Sequence, residues 1–170
     1  GFENIRKNFH VRSFEKNFSK KIKSKYALAV SSGTAAIKIA LKAINIKPGD
    51  EVITQSFNFI ATVEAIIDIG AIPIVINIDK SLNMDPDLIE DAITKKTKAI
   101  LPVHMLGYSC QMDKILNIAK KNNLFVIEDN CEALGGKYKK KLLGNIGDIG
   151  TYSLDFGKII TTGEGGLITT

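Results

Sequence analysis

Lys158 stands between an apolar run that ends at Ser153 and a turn holding Gly163, Gly165 and Gly166. An amine held in such a place can be desolvated, lose its charge and act as a nucleophile or Schiff-base former. The glycines mark backbone that needs positive φ or a close approach. Taken alone, the pattern fits an ordinary surface lysine before a turn better, because single lysines near glycines are common. Three further positions bear on the chemistry. Ser32-Gly33-Thr34 separates a short apolar run from a helical pattern, so it could aim free backbone N–H groups at an anion or simply cap a helix. Asp129 closes another apolar run, as a buried carboxylate, a helix cap or a metal ligand. Phe57 and Phe59 stand before a helical pattern, where a ring could face a ligand, although core packing is the commoner fate of a phenylalanine. An anion cradle, a carboxylate and a lysine are together what pyridoxal 5'-phosphate (PLP) needs for its phosphate, its pyridine nitrogen and its aldehyde. A carboxylate beside that nitrogen keeps it protonated, because opposite charges in contact favour both charged forms.

The elements that must position these residues alternate. Helical patterns are expected over residues 11–24, with Phe14, Phe18 and Ile22 on one stripe, and over 35–44, 58–68, 84–92 and 112–121. Short apolar runs at 26–31, 51–54, 72–76, 99–103, 124–127 and 167–170 read as strands. Such alternation predicts an α/β fold on a mainly parallel sheet, whose ligands gather at the carboxyl ends of the strands. Ser32-Gly33-Thr34, His104 and Asp129 all follow expected strands and so could share one edge.

Composition removes several classes. With 170 residues, 45% of them hydrophobic, the chain can build one core. The net charge of +5 is spread over single lysines, and the runs at 20–23 and 137–141 carry no nucleic-acid motif, so they read as solvated faces. Cys110 and Cys131 belong to no metal-spaced cluster, which predicts neither structural zinc nor disulfides and suits a reducing cytoplasm. The charged N-terminal residues lack an apolar leader segment, and the most apolar stretch, 65–78, is too short to span a bilayer.

Four ordered blocks give the sequence a family likeness: Ser32-Gly33-Thr34, Ser56 to Thr62, Glu128 to Gly135, and Ser153 to Gly166. From about Phe14 to Thr170 the chain resembles the DegT/DnrJ/EryC1/StrS sugar aminotransferases, which have the fold type I (aspartate-aminotransferase-like) architecture of PLP-dependent transferases. The resemblance implies that Lys158 forms the Schiff base with PLP and moves the proton between substrate and cofactor. It implies that Asp129 pairs with the pyridinium nitrogen and Phe59 stacks on the ring. Gly33, Thr34 and Ala35 would supply backbone contacts to the phosphate or its loop, and Ser153 its hydroxyl to the phosphate. Glu132 stands where the family usually has glutamine near the cofactor's phenolic oxygen. An amide can donate to that oxygen and an ionised carboxylate cannot, so Glu132 must be protonated, turned towards substrate, or bridged by another group. His104, in a family-like Pro-Val-His stretch, is assigned no chemical step, and Gln55, in place of the usual proline, is read as harmless.

The expected function is amino transfer, with glutamate as donor, to a nucleotide-linked keto-deoxysugar, the 4-keto position being favoured by the Glu132 resemblance to perosamine-synthase-like enzymes. The alternatives are a non-catalytic or regulatory homologue that binds PLP or a sugar nucleotide, and a PLP-dependent sugar dehydratase. The dehydratase branch carries histidine at the lysine position, so Lys158 speaks against it. A nicotinamide-binding domain fits poorly, because 163–166 lacks the required glycine spacing. The resemblance further implies a homodimer with shared active sites. Residues 1–170 would then be one incomplete PLP-binding large domain, inactive alone, with the rest of that domain and a C-terminal small domain outside it.

Overall fold

A computed structural model describes residues 10–170. The charged residues 1–9, read above as lacking a leader segment, lie outside the described residues. In chain order the elements are α1 (His10–Ile22), β1 (Ala27–Val30), α2 (Gly33–Ala43), β2 (Glu51–Gln55), α3 (Ile60–Asp68) and β3 (Ile72–Ile76). A 3-10 turn, Pro86–Leu88, runs into the short α4 (Ile89–Ala92), followed by β4 (Thr97–Leu101), a 3-10 turn at Met105–Gly107, α5 (Met112–Asn122) and β5 (Phe125–Asp129). A hairpin of β6 (Lys137–Tyr138) and β7 (Lys141–Leu142) precedes β8 (Ile149–Ser153) and β9 (Gly166–Thr169).

Seven strands form one sheet in the order β1-β9-β8-β5-β4-β2-β3. From β3 to β8 every pairing is parallel, as the strand–helix alternation predicts. β9 runs antiparallel to both β8 and β1, so two reversals return β1 to the common direction. Gly166 is paired with Val30 on one side and with Ser153 on the other. That register brings the end of β1, and the Ser32-Gly33 corner beyond it, to the same sheet edge as Ser153.

Successive strand residues face opposite sides of a sheet. Accordingly Val52, Leu101 and Ile127 pack with Ala36, Ile37, Ala40 and Leu41 of α2 and Ala65 and Ile66 of α3. Their neighbours Ile53, Ile100 and Val126 pack on the other face with Ile89 of α4 and Met112, Ile115 and Ala119 of α5. Each of the larger side chains contributes about 1.5–3 kcal/mol by leaving water. The expected stripe of α1 is present: Phe14, Phe18 and Ile22 cover Tyr152, Leu154 and Leu167, with Phe18 edge-on to Tyr152 at 5.1 Å.

The helix expected over 84–92 begins later. Met84 bridges to Ile78 in an extended pairing, and the Asp85 side chain caps the Asp87 N–H at 3.0 Å, so helical structure opens only at Pro86. Asp85 before Pro86 is thus a correct start signal that the apolar pattern had placed two residues too early. The lysines around the β6–β7 hairpin are exposed, and Lys139 reaches Asp113 at 2.9 Å. Among the described residues no helix is long and apolar enough to cross a membrane.

Candidate functional site

Asp129 is the last residue of β5, and the chain holds it there from both sides. Its N–H donates to Pro102 O at 2.9 Å and its C=O accepts from His104 N–H at 3.0 Å, which extends the pairing beyond the end of β4. The side chain is buried, with Oδ1 accepting the Cys131 N–H at 3.1 Å and Oδ2 the Thr62 hydroxyl at 2.8 Å. Among the described residues no lysine, arginine or histidine lies within ion-pair distance of it. A buried carboxylate with two neutral donors and no cation is an incomplete arrangement, since buried charges are normally paired.

Next to it, α2 starts at the cleft. Ser32 caps the helix, its Oγ accepting the Ala35 N–H at 3.1 Å while its C=O accepts the Ala36 N–H at 3.0 Å. The Gly33 and Thr34 N–H groups are left without a protein partner among the described residues, and both residues line the cleft. The Ala35 N–H makes the loop contact, turned back to the Ser32 cap, and the residue does not line the cleft. Gly33 is required by close packing, because a Cβ there would stand 2.9 Å from the Ser153 Cβ and 3.0 Å from the Cys131 Sγ. Ser153, at the end of β8, brings its hydroxyl to the same place, where the Oγ accepts the Asp155 N–H at 3.3 Å.

The segment between β8 and β9 carries Lys158. Asp155 opens a turn, with the Lys158 N–H donating to Asp155 O at 3.0 Å, and the Leu154 backbone bonds to Gly165 and Thr162 to close the loop. Gly163 and Gly165 have φ of +85° and +149°, and a Cβ on Gly166 would meet the Ser32 carbonyl oxygen at 2.3 Å. Both uses of glycine expected from the sequence, positive φ and close approach, are thus present. The loop aims Lys158 into the cleft, 3.6 Å from Glu132 Oε1 and 5.7 Å from the centre of the Phe59 ring. Glu132 thus faces this lysine, a partner that sequence reasoning did not name. Phe59 is 61% exposed and lines the cleft, so here the ring faces outward and is not core.

Together these groups enclose about 510 Å³ at the carboxyl edge of the sheet. Lys158 is the one lysine in the lining, beside Asp129, Glu132, Ser153 and Cys131. The Cys131 thiol is held well above its ordinary range by burial and by the adjacent Asp129 charge, so it is a poor source of thiolate here.

Behind the cleft lies a buried polar knot that sequence reasoning did not find. Glu128 accepts the N–H groups of Gly144 (2.9 Å), Ile146 (2.6 Å) and Gly147 (2.7 Å) and faces His104 Nε2 at 3.0 Å. His104 Nδ1 accepts the Cys110 N–H at 3.2 Å, which puts the ring proton on Nε2 towards Glu128. His104 is fully buried and does not line the cleft, so its role is structural. Gln55 is also fully buried, joining Met84 N–H and Val103 N–H through Oε1 and Phe57 O through Nε2, a structural role that "harmless" did not capture. Burial pushes the Glu128 carboxyl up, but His104 and the Gly147 and Gly144 amides outweigh it and hold the group below its ordinary 4.5. A carboxyl depressed by folding stabilises the fold fully above its unfolded value and loses that contribution as pH falls through the folded one. Glu128→Gln, whose amide N–H meets backbone N–H donors, is therefore expected to cost about 1–3 kcal/mol in urea unfolding at pH 7, and the gap to wild type should close in acid. Equal stability at pH 7 would remove this account of the knot.

Thr62, whose hydroxyl reaches Asp129 at 2.8 Å, was a cleft residue given no role from the sequence. The three-residue spacing of Phe59 and Thr62 at the start of a helix, which sets both on one side, was the available signal.

Comparison with known proteins follows the same lines. The sequence profile of the DegT/DnrJ/EryC1/StrS aminotransferase family matches residues 3–170. GDP-perosamine synthase of Caulobacter vibrioides is 47% identical over 161 residues, covering 94% of this chain and 43% of that protein. The crystal structure of an aminotransferase from Psychrobacter cryohalolentis superposes with a TM-score of 0.92 at 44% identity, over 94% of this chain and 41% of the other. NtdA from Bacillus subtilis, solved with bound cofactor PMP, superposes with a TM-score of 0.89 at 41% identity, over 94% and 36% of the two chains. The chain thus spans less than half the length of these relatives.

Proposed function

The chain belongs to the DegT/DnrJ/EryC1/StrS aminotransferase family, and from that premise we propose that the protein it represents is a PLP-dependent sugar aminotransferase. Its acceptor would be a nucleotide-linked keto-deoxysugar, with the 4-keto position favoured, and its amino donor glutamate. The observation that carries the reading is the meeting of Lys158, Asp129, Phe59 and the open start of α2 in one cleft. The cleft has the right gaps for the cofactor. Asp129 lacks a cation, which a pyridinium would supply, and Gly33 and Thr34 offer two free N–H groups to a phosphate. PLP, once bound, supplies the electron sink that stabilises a carbanion at the substrate carbon.

The chain's own residues do the rest. The Gly33 and Thr34 amides and the Ser153 hydroxyl would hold the phosphate end, and Asp129 would keep the ring nitrogen protonated, because opposite charges in contact favour both charged forms. Phe59 would pack on the ring. The Lys158 amine would be the covalent anchor and then the group that carries a proton on and off the substrate carbon. Glu132 is placed to hold that amine between these tasks. The 4-keto preference rests on Glu132, the residue likened to perosamine-synthase-like enzymes, and a GDP-perosamine synthase is among the relatives. A second copy of the chain completing the site agrees with the apolar rim, where Phe156, Ile159 and Ile160 are exposed.

Full-length protein loaded with PLP tests the reading directly. Glutamate should convert the absorbance of the lysine-bound cofactor to that of the amine form, and a GDP- or dTDP-linked 4-keto-6-deoxysugar should restore it. A spectrum that glutamate and other amino donors leave unchanged would point instead to a binding or regulatory protein.

A further inference from the structure

Resting on that reading of the cleft, we infer that Thr62 is a positioning residue that sets the Asp129 carboxylate towards the cofactor's ring nitrogen. Thr62 sits in the first turn of α3, is 1% exposed, and donates its hydroxyl proton to Asp129 Oδ2 at 2.8 Å. A helical threonine usually turns its hydroxyl back to the carbonyl of the preceding turn. Here the backbone N–H of Thr62 bonds to Phe59 O at 3.0 Å, while the hydroxyl leaves the helix for a strand residue 67 positions away.

The other carboxylate oxygen, Oδ1, is held by the Cys131 N–H at 3.1 Å. With one donor on each oxygen, rotation of the carboxylate about its last bond breaks at least one of the two. The remaining lone pairs are then fixed in direction. Phe59 immediately precedes α3 and Thr62 lies within it, three residues on, so one short segment places both the ring-covering phenyl and the partner of the ring nitrogen. The anchor is a neutral donor. It orients Asp129 without supplying the cation that the bound ring would bring, which a lysine or arginine at this position would do.

The test uses full-length protein and PLP itself. Thr62→Val keeps the shape and removes the donor, and it is expected to weaken PLP binding about 10- to 100-fold, the worth of one charge-assisted hydrogen bond. The pH midpoint of the visible band should also move, because a carboxylate free to turn no longer holds the ring proton, whereas loosened packing alone would leave that midpoint in place. Thr62→Ser keeps the hydroxyl and loses only the methyl group, so it should bind PLP like wild type. If Thr62→Ser loses PLP as severely as Thr62→Val, packing and not the hydrogen bond holds the site and the assignment fails. It fails equally if Thr62→Val binds PLP with wild-type affinity and an unmoved midpoint. Wild-type protein that takes up no PLP at all would instead overturn the reading of the whole cleft.

Discussion

Lys158→Ala in the full-length protein is expected to abolish covalent retention of PLP and to lower amino transfer by at least about a thousandfold. The cleft offers no substitute, since Lys158 is the one lysine among its lining residues. The loss has two parts, the covalent anchor and the proton carrier, and an alanine removes both. It also strips Glu132 of its ion-pair partner at 3.6 Å. Lys158→Arg separates these effects, because a guanidinium can still face Glu132 but does not deprotonate to become a nucleophile. Arginine should therefore keep the charge balance of the cleft and remain as inactive as alanine. The measurement is borohydride reduction of the loaded protein followed by peptide mass analysis. Wild type should carry the label on the peptide containing Lys158, and both variants should carry none. Label retained by Lys158→Ala would place the anchor on another amine and undo the assignment.

What could be read from the sequence, and what could not, divides along physical lines. Local signals sufficed for Ser32-Gly33-Thr34 and for the glycines at 163 and 165, because a cap and a positive φ are properties of a few consecutive residues. The alternation of strands and helices sufficed for the fold class and for the edge where ligands gather. Strand order was beyond reach: nothing in residues 27–30 or 166–169 says that β9 inserts between β1 and β8 and reverses direction. Yet that insertion is what carries Gly33 to Ser153. The polar knot of Glu128, His104 and the 144–147 loop was hidden for a related reason. A glutamate in an apolar run looks like a strand end facing water until three amides from 16 to 19 residues away are seen to close on it. Gln55 escaped in the same manner, its partners lying at Met84 and Val103.

Asp129→Asn isolates charge from shape at the centre of the site. The amide can reproduce the existing bonds: its oxygen can accept the Cys131 N–H, and its nitrogen can donate to the Thr62 hydroxyl, which has lone pairs to spare. The fold around β5 should therefore survive, with an unfolding midpoint near that of wild type. What disappears is the negative charge that an incoming pyridinium would meet. Removing one partner of a buried ion pair costs about 3–5 kcal/mol, which as a barrier corresponds to a rate loss of roughly 10²- to 10³-fold or more. Cofactor affinity should fall as well, as it does when Thr62 no longer orients the carboxylate, but at saturating PLP the Lys158 anchor and the α2 amides still hold the cofactor and the chemical step carries the rate loss. Single-turnover kinetics with glutamate measure that step apart from binding. A variant that retains covalent PLP yet transfers amine within a few-fold of the wild-type rate would show that Asp129 holds no proton at the ring. A hundredfold loss with the cofactor still in place is the expected result. It would also explain why the chain leaves a carboxylate buried between two neutral donors, where an amide would cost less to fold.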